Sequence, residues 1–311
     1  MAYLGIDTSN YTTSAALFDG ENIVQQKKLL PVKPGELGLR QSDAVFHHVR
    51  QLPDILAALK LSDAKIDAVG VSVRPRPIDG SYMPCFESGH TAARILSDAL
   101  GVPLFRFSHQ EGHIAAAAYS SGFAPKKDEP FCAFHVSGGT TEAVKVNKTD
   151  TGFDIEYISG SLDLKAGQTI DRVANMLSLP FPGGAELEKL ALKWNEPCKG
   201  IKICGKGMDI CLSGVENICR KLVDSGEPRE KVARVCIEYI MRSLAYMADA
   251  IREKYADIPL LFAGGVMSCS IIKNEFSKRY GAYFAEPVFS CDNAAGIAIL
   301  TAQAAGASCR I

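Results

Sequence analysis

Phe131-Cys-Ala-Phe-His-Val-Ser-Gly-Gly-Thr-Thr-Glu-Ala-Val-Lys-Val146 is the stretch on which the fold turns. An apolar strand over 131–136 runs into the tight polar turn Ser137-Gly138-Gly139-Thr140-Thr141, and a returning strand leaves it over 142–146. The chain opens in the same way. Residues 1–8 read as an apolar strand, Asp7-Thr8-Ser9-Asn10 as a tight polar turn, and 13–18 as the returning strand. A third strand follows in each case, over 23–30 after the hairpin turn Asp19-Gly20-Glu21-Asn22, and over 153–158. Leu4-Gly-Ile-Asp-Thr-Ser9 and Ala133-Phe-His-Val-Ser-Gly-Gly139 therefore hold equivalent places in two halves, a duplication legible as an order of elements.

The remaining elements fit that division. Val45, Val49, Leu52, Ile55 and Leu56 form one stripe of a helix over 42–59, with Pro53 expected to break or kink it. Strands are expected over 67–73 and 103–107, with helices over 89–100 and from His109 onward. Residues 120–130, Ser-Ser-Gly-Phe-Ala-Pro-Lys-Lys-Asp-Glu-Pro, have linker composition. The expected domains are 1–122 and 128–311, with the last helix able to pack back on the first. In the second half, helices are expected over 166–177, 184–194, 230–255, 268–279 and 293–305, and a strand over 258–263. Strands and helices in this order imply an α/β fold of mixed sheets with helices packed on them.

Composition narrows the class. A chain of 311 residues is long for one core, and 34 basic against 35 acidic residues give no global pull toward nucleic acid or membrane. The ten cysteines are scattered without the close spacing of a zinc knuckle. No apolar run approaches the roughly 18 residues of a membrane span, and no signal peptide is evident, so a reduced, cytoplasmic protein is expected.

Chemistry concentrates in a few places. His109 and His113 stand four apart at the start of an alanine-rich helix, so their imidazoles share a face, as two ligands of one metal do. Glu111 falls on the opposite face, where it cannot serve as the base of a zinc peptidase. A surface or capping role is the plainer reading of such a pair, and a third ligand decides between them. Asp292, in Phe289-Ser-Cys-Asp-Asn, is either a helix N-cap or that third ligand. The two strand–turn–strand units read as phosphate hairpins, whose backbone N–H groups point at an anion. Gly264-Gly265, after a buried strand, would let a base or ribose rest on the backbone. Asp171, on a helix whose apolar face carries Ile170, Val173, Ala174 and Leu177, is placed to accept from ribose hydroxyls, beside Pro182-Gly183-Gly184.

Together, Leu4-Gly-Ile-Asp-Thr-Ser, His109-Gln-Glu-Gly-His113, Val136-Ser-Gly-Gly, Asp171-Arg-Val-Ala, Phe181-Pro-Gly-Gly, Phe262-Ala-Gly-Gly-Val and Cys291-Asp-Asn-Ala-Ala resemble one family. It is that of the tRNA N6-threonylcarbamoyladenosine synthase catalytic subunits, formerly called O-sialoglycoprotein endopeptidases. The resemblance spans essentially the whole chain. It implies a two-lobed fold of the actin-like ATPase and sugar-kinase superfamily. It also implies transfer of a threonylcarbamoyl group from threonylcarbamoyl-AMP to N6 of the adenosine 3′ of the tRNA anticodon, with accessory subunits. His109, His113 and Asp292 match the family's ligands for one divalent ion, iron or zinc. His135, Val136, Ser137, Gly138, Gly139, Asp171 and Gly184 match positions that hold the adenylate, and Cys269 stands where the family has a nucleotide-binding asparagine.

Departures mark a divergent bacterial paralogue. Asn10-Tyr11-Thr12-Thr13 replaces Cys-Asp-Asp/Glu-Thr, removing an acidic pair. Arg74-Pro-Arg-Pro-Ile-Asp-Gly80 replaces a Gly-Pro-Gly segment, and Ser213-Gly-Val-Glu216 reverses the charge of Ser-Gly-Leu-Lys. These changes leave room for a nucleotide- and metal-binding regulator or scaffold without transfer, or for a small-molecule carbamoyl transferase. Lys199, Lys202, Lys206, Arg220 and Lys221 are either a tRNA contact or a solvated face.

Overall fold

The computed structural model describes residues 1–9, 11–31, 39–291 and 294–307. Its chain divides into two compact units: Met1–Glu129 with Asn147–Ile155 and Val288–Ile311, and Pro130–Val146 with Glu156–Pro287. Elements are numbered in chain order.

The first unit contains β1 (Ala2–Asp7), β2 (Thr12–Phe18), β3 (Ile23–Leu29), α1 (Gln41–Ala58), β4 (Ile66–Arg74), α2 (Phe86–Leu100), β5 (Leu104–Ser108), α3 (His109–Ser121) and the C-terminal helix α9 (Ala295–Ala304). Its five strands lie in the order β3-β2-β1-β4-β5, antiparallel through β1–β3 and parallel from β1 to β5. Every residue of β1 is buried, as befits a strand covered on both faces. Leu52, Ile55 and Ala93, from α1 and α2, pack with Leu4, Ile6 and Val69 on one side. Pro53 lies within α1 and does not end it.

On the other side lies α9, apolar all round and buried throughout residues 295–302. Its approach is close enough that only glycine fits: a Cβ on Gly296 would stand 1.8 Å from the Gly112 carbonyl oxygen of α3. One on Gly5 would stand 2.4 Å from the Ala298 nitrogen. The chain returns to the first unit at 147–155 and again at 288–311, where the sequence reading lets the last helix pack back on the first half. An all-apolar helix must be covered, and β1, β4 and α3 cover this one.

The second unit repeats the plan. It is built on β6 (Phe131–Val136), β7 (Thr141–Lys148) and β8 (Phe153–Gly160), of which residues 147–148 and 153–155 belong to the first unit. Then come α4 (Ala166–Met176), α5 (Gly184–Ala191), β9 (Cys204–Lys206), β10 (Asp209–Cys211), α6 (Gly214–Asp224) and α7 (Arg229–Tyr255). β11 (Leu260–Ala263), α8 (Ser270–Tyr280) and β12 (Tyr283–Phe284) complete it. Its sheet runs β12-β11-β6-β7-β8, so β6, β7, β8, β11 and β12 stand in for β1, β2, β3, β4 and β5. β11 lies parallel to β6 as β4 does to β1, which makes the duplication topological. Phe134, Phe262 and Phe284 stack across three strands of this sheet, with Phe276 of α8 edge-on to Phe262.

Candidate functional site

α3 begins with a capping box that its sequence dictates. Ser108 accepts from the Glu111 amide, and the Glu111 carboxylate takes the Ser108 amide at 2.6 Å and its hydroxyl at 2.7 Å. Glu111 is thus bound to the helix N-terminus, away from the histidine face. His109 and His113 meet on that face with their Nε2 atoms 2.9 Å apart. The Nδ1 of His109 lies 3.1 Å from Oδ1 of Asp7, at the buried end of β1. Asp7 is further held by the hydroxyl of Ser9 at 2.7 Å and by that of Ser72 on β4.

The protonation pattern follows. Burial alone would raise the Asp7 carboxyl, but the His109 charge and the hydrogen bonds from His109, Ser72 and Ser9 outweigh it and hold the group below its ordinary value. An ionised carboxylate only accepts, so His109 donates from Nδ1 and its Nε2 faces His113. A carboxylate behind a histidine, fixing its tautomer, is the usual support of a metal ligand. Two ligating nitrogens about 2.0–2.1 Å from one ion lie roughly 3 Å or more apart, so the convergence of the pair fits such a group. Among the described residues no set of three His, Cys, Asp or Glu gathers for a metal, and Asp292 lies outside the described residues.

In the second unit the remaining candidates fall into two places. Val136 ends β6, and the turn after it is closed by the Ser137 amide to the Thr140 carbonyl at 2.7 Å and the Thr140 amide to Ser137 Oγ at 3.1 Å. The first turn of α4 abuts this turn: the Gly167 amide donates to the Ser137 carbonyl, and a Cβ on Gly167 would stand 2.6 Å from the Gly138 nitrogen. Gly138 and Gly139 are exposed, and a Cβ added to either would meet nothing within 4 Å, which leaves their backbone open to an anion. His135, half-buried, sits between Ala263 of β11 and Glu142 of β7.

The second place is a cavity of about 160 Å³ in which Gly184, Glu188, Gly265 and Cys269 meet Ile170 and Ile272. Burial pushes the Cys269 thiol up to about 11, so it presents an S–H. Asp171 does not line this cavity. Its Oδ1 accepts the Gly183 amide at 2.8 Å, which sets the loop leading into Gly184.

Three residues were not singled out by sequence. Asp7 reads as part of a turn, although a carboxylate ending an apolar strand is itself a signal. Glu188, one helical turn after Gly184, accepts from the Ser270 amide at 2.7 Å and so ties α5 to the N-terminus of α8. Gly167 is visible only once α4 is seen against the turn.

Comparison with solved structures places the fold in the class the duplicated sheets and glycine turns describe. HypF from T. kodakarensis superposes with a TM-score of 0.62 over 97% of this chain and 47% of that one, at 12% identity. A Clostridium difficile activator of 2-hydroxyisocaproyl-CoA dehydratase, solved with ADPNP bound, gives 0.52 over 98% and 96%, at 13% identity. This is the actin-like ATPase and sugar-kinase fold. The family is shown by sequence: residues 26–299 match the family TsaD, tRNA N6-adenosine threonylcarbamoyltransferase, and the chain belongs to that transferase family. The Methanopyrus kandleri enzyme of that name is 31% identical over 90% of this chain and 80% of its own length. The Thermus thermophilus one is 30% identical over 96% and 91%. A probable bifunctional tRNA threonylcarbamoyladenosine biosynthesis protein of Thermoplasma volcanium is 28% identical, and the chain spans 55% of its length.

Proposed function

We propose that this protein transfers a threonylcarbamoyl group from threonylcarbamoyl-AMP to N6 of the adenosine 3′ of a tRNA anticodon, in the cytoplasm and with accessory subunits. The observation that supports this reading most is the pair of Nε2 atoms 2.9 Å apart, one of them oriented by the buried Asp7. In this reading His109, His113 and Asp292 hold one divalent ion, iron or zinc, which when bound supplies Lewis acidity toward a carbonyl oxygen.

The chain's own residues do the rest. Asp7 accepts from the His109 Nδ1–H and so orients Nε2 for ligation. The backbone of Ser137, Gly138 and Gly139, backed by the N-terminus of α4, receives the phosphate of the adenylate, with His135 and Val136 fixing the turn to the sheet. Asp171 shapes the loop that delivers Gly184, and Gly184 with Cys269 lines the cavity for the nucleoside. Fixing the adenylate and its acyl group in place makes attack by the tRNA amine a positioned reaction.

The test is a reaction of the metal-loaded protein with threonylcarbamoyl-AMP, tRNA and the family's accessory proteins, followed by nucleoside mass spectrometry. Threonylcarbamoyladenosine in the digest is expected; none, with correctly metallated protein, contradicts the proposal. A second reading, a nucleotide-binding paralogue without transfer, has one observation in its favour. Glu216, where the family carries a lysine, is tied to Arg172 at 2.9 Å and Arg220 at 3.3 Å. Activity in the unaltered protein would dismiss it.

A further inference from the structure

The hairpin β9–β10, which the proposed reaction does not use, places two cysteines opposite each other. Cys204 and Cys211 are direct partners in its antiparallel register. Residues so paired have Cα atoms about 4.5–5.5 Å apart, inside the range of about 4.4–6.8 Å that a disulfide spans. The turn that joins them is stiff. Gly207 takes φ +63° at the first of its two central positions, as a type II′ turn requires, and its carbonyl accepts from the Tyr246 hydroxyl at 2.8 Å. Tyr239, also on α7, donates to the Cys211 carbonyl at 3.2 Å.

We propose that Cys204 and Cys211 are a redox-modification site, a dithiol that closes to a disulfide and fastens the β9–β10 hairpin. Burial and then the neighbouring Cys204 push the Cys211 thiol up. Cys204 is exposed and Cys211 half-buried, so an oxidant reaches Cys204 first. Cys219 and Cys236, the thiols of α6 and α7, are both fully buried and closed to it. Exposed disulfides of this kind are the labile ones.

The co-reactant is a small-molecule disulfide. The Cys204 thiolate attacks one of its sulfurs and releases one thiolate, forming a mixed disulfide. The Cys211 thiolate then attacks Sγ of Cys204 and releases the second. Two protein thiols are oxidised, one disulfide is reduced to two thiols, and the two protein protons pass to them.

The hairpin's attachments say what the lock would stiffen. Ser159 Oγ donates to the Met208 carbonyl at 2.6 Å, the Gly160 amide to Asp209 at 2.9 Å and the Leu162 amide to the Ile210 carbonyl at 2.9 Å. Just beyond, Asp163 accepts from the Leu212 amide at 2.7 Å and the Ser213 amide at 3.1 Å, two residues before the cap of α4. The junction between β8 and α4 therefore rests on the hairpin.

Oxidised glutathione, removed after incubation with the full-length protein, provides the test. Trypsin cuts after Lys202 and Lys206, so the disulfide joins peptide 203–206 to peptide 207–220, and fragmentation separates Cys211 from Cys219. The expected result is that linked pair, with a rise of about 3–8 °C in melting temperature that dithiothreitol reverses and Cys204→Ser abolishes. Glutathione left on Cys204 as a mixed disulfide, a link through Cys219, or a link without the rise in melting temperature would each overturn the proposal.

Discussion

Lowering the pH from 7 to 5 should weaken this fold through His48, a residue with no part in the proposed reaction. His48 lies on α1 with no exposed surface. Its Nδ1 is 2.8 Å from the Thr13 hydroxyl, which donates to Gln51 Oε1 at 2.8 Å, while Gln51 Nε2 donates to the Leu29 carbonyl at 3.2 Å. The Thr13 proton is thus committed to Gln51, so His48 must donate from Nδ1 and keep a bare lone pair on Nε2. That atom is buried and has no hydrogen-bond partner among the described residues. Burial lowers the imidazole from 6.5 to about 4, with Asp7 pulling it up and His47 pushing it down. The unfolded chain takes up the proton first. The stability His48 confers is therefore complete above pH 6.5 and is lost as the pH falls toward 4. A gap of about 2.5 pH units at 1.36 kcal/mol each amounts to about 3 kcal/mol, of which about 2 kcal/mol is gone by pH 5. Urea unfolding at pH 7, 6 and 5, on the protein and on His48→Gln, measures it. The variant should start less stable and lose about 2 kcal/mol less over that interval. Parallel pH profiles would refute the reasoning, whatever the variant's stability at neutral pH.

Other perturbations test the packing and the two candidate places. Gly296→Ala puts a methyl 1.8 Å from the Gly112 carbonyl oxygen, where only backbone can yield, and should cost about 3 kcal/mol or more in urea unfolding. Gly167→Ala drives a methyl to 2.6 Å from the Gly138 nitrogen, and calorimetry should find AMP binding weakened about tenfold or more with the fold retained. Asp7→Asn removes the charge behind His109 and should cost about 1.5–3 kcal/mol at neutral pH. Because the Asp7 carboxyl is lowered, its contribution is present above pH 3.8 and fades as the pH drops through the lowered value, so the difference between protein and variant should shrink there.

Much of the architecture was legible because each strand announced its environment. The largely apolar β1 and β6, each running into a polar turn, read as buried strands, and their repetition marked the two halves. The region 195–229 was silent. β9 and β10 are three residues each, stabilised by Tyr239 and Tyr246 from α7 rather than by their own pattern, and α6 has no capping side chain at Ser213 to mark its start. The imidazole pair was legible from spacing, since four residues of helix fix the geometry. Its carboxylate support was not, because Asp7 ends β1 and His109 opens α3, 102 residues apart in sequence. The Gly183 amide that Asp171 accepts was not legible either, because that donor lies 12 residues on, in the loop before α5.

Metal content is the most direct measurement. Protein purified without chelators should carry about one iron or zinc per chain by elemental analysis, and His109→Ala should lose it while melting as a folded protein. A folded protein with no metal, or a variant that retains the full amount, would contradict the account.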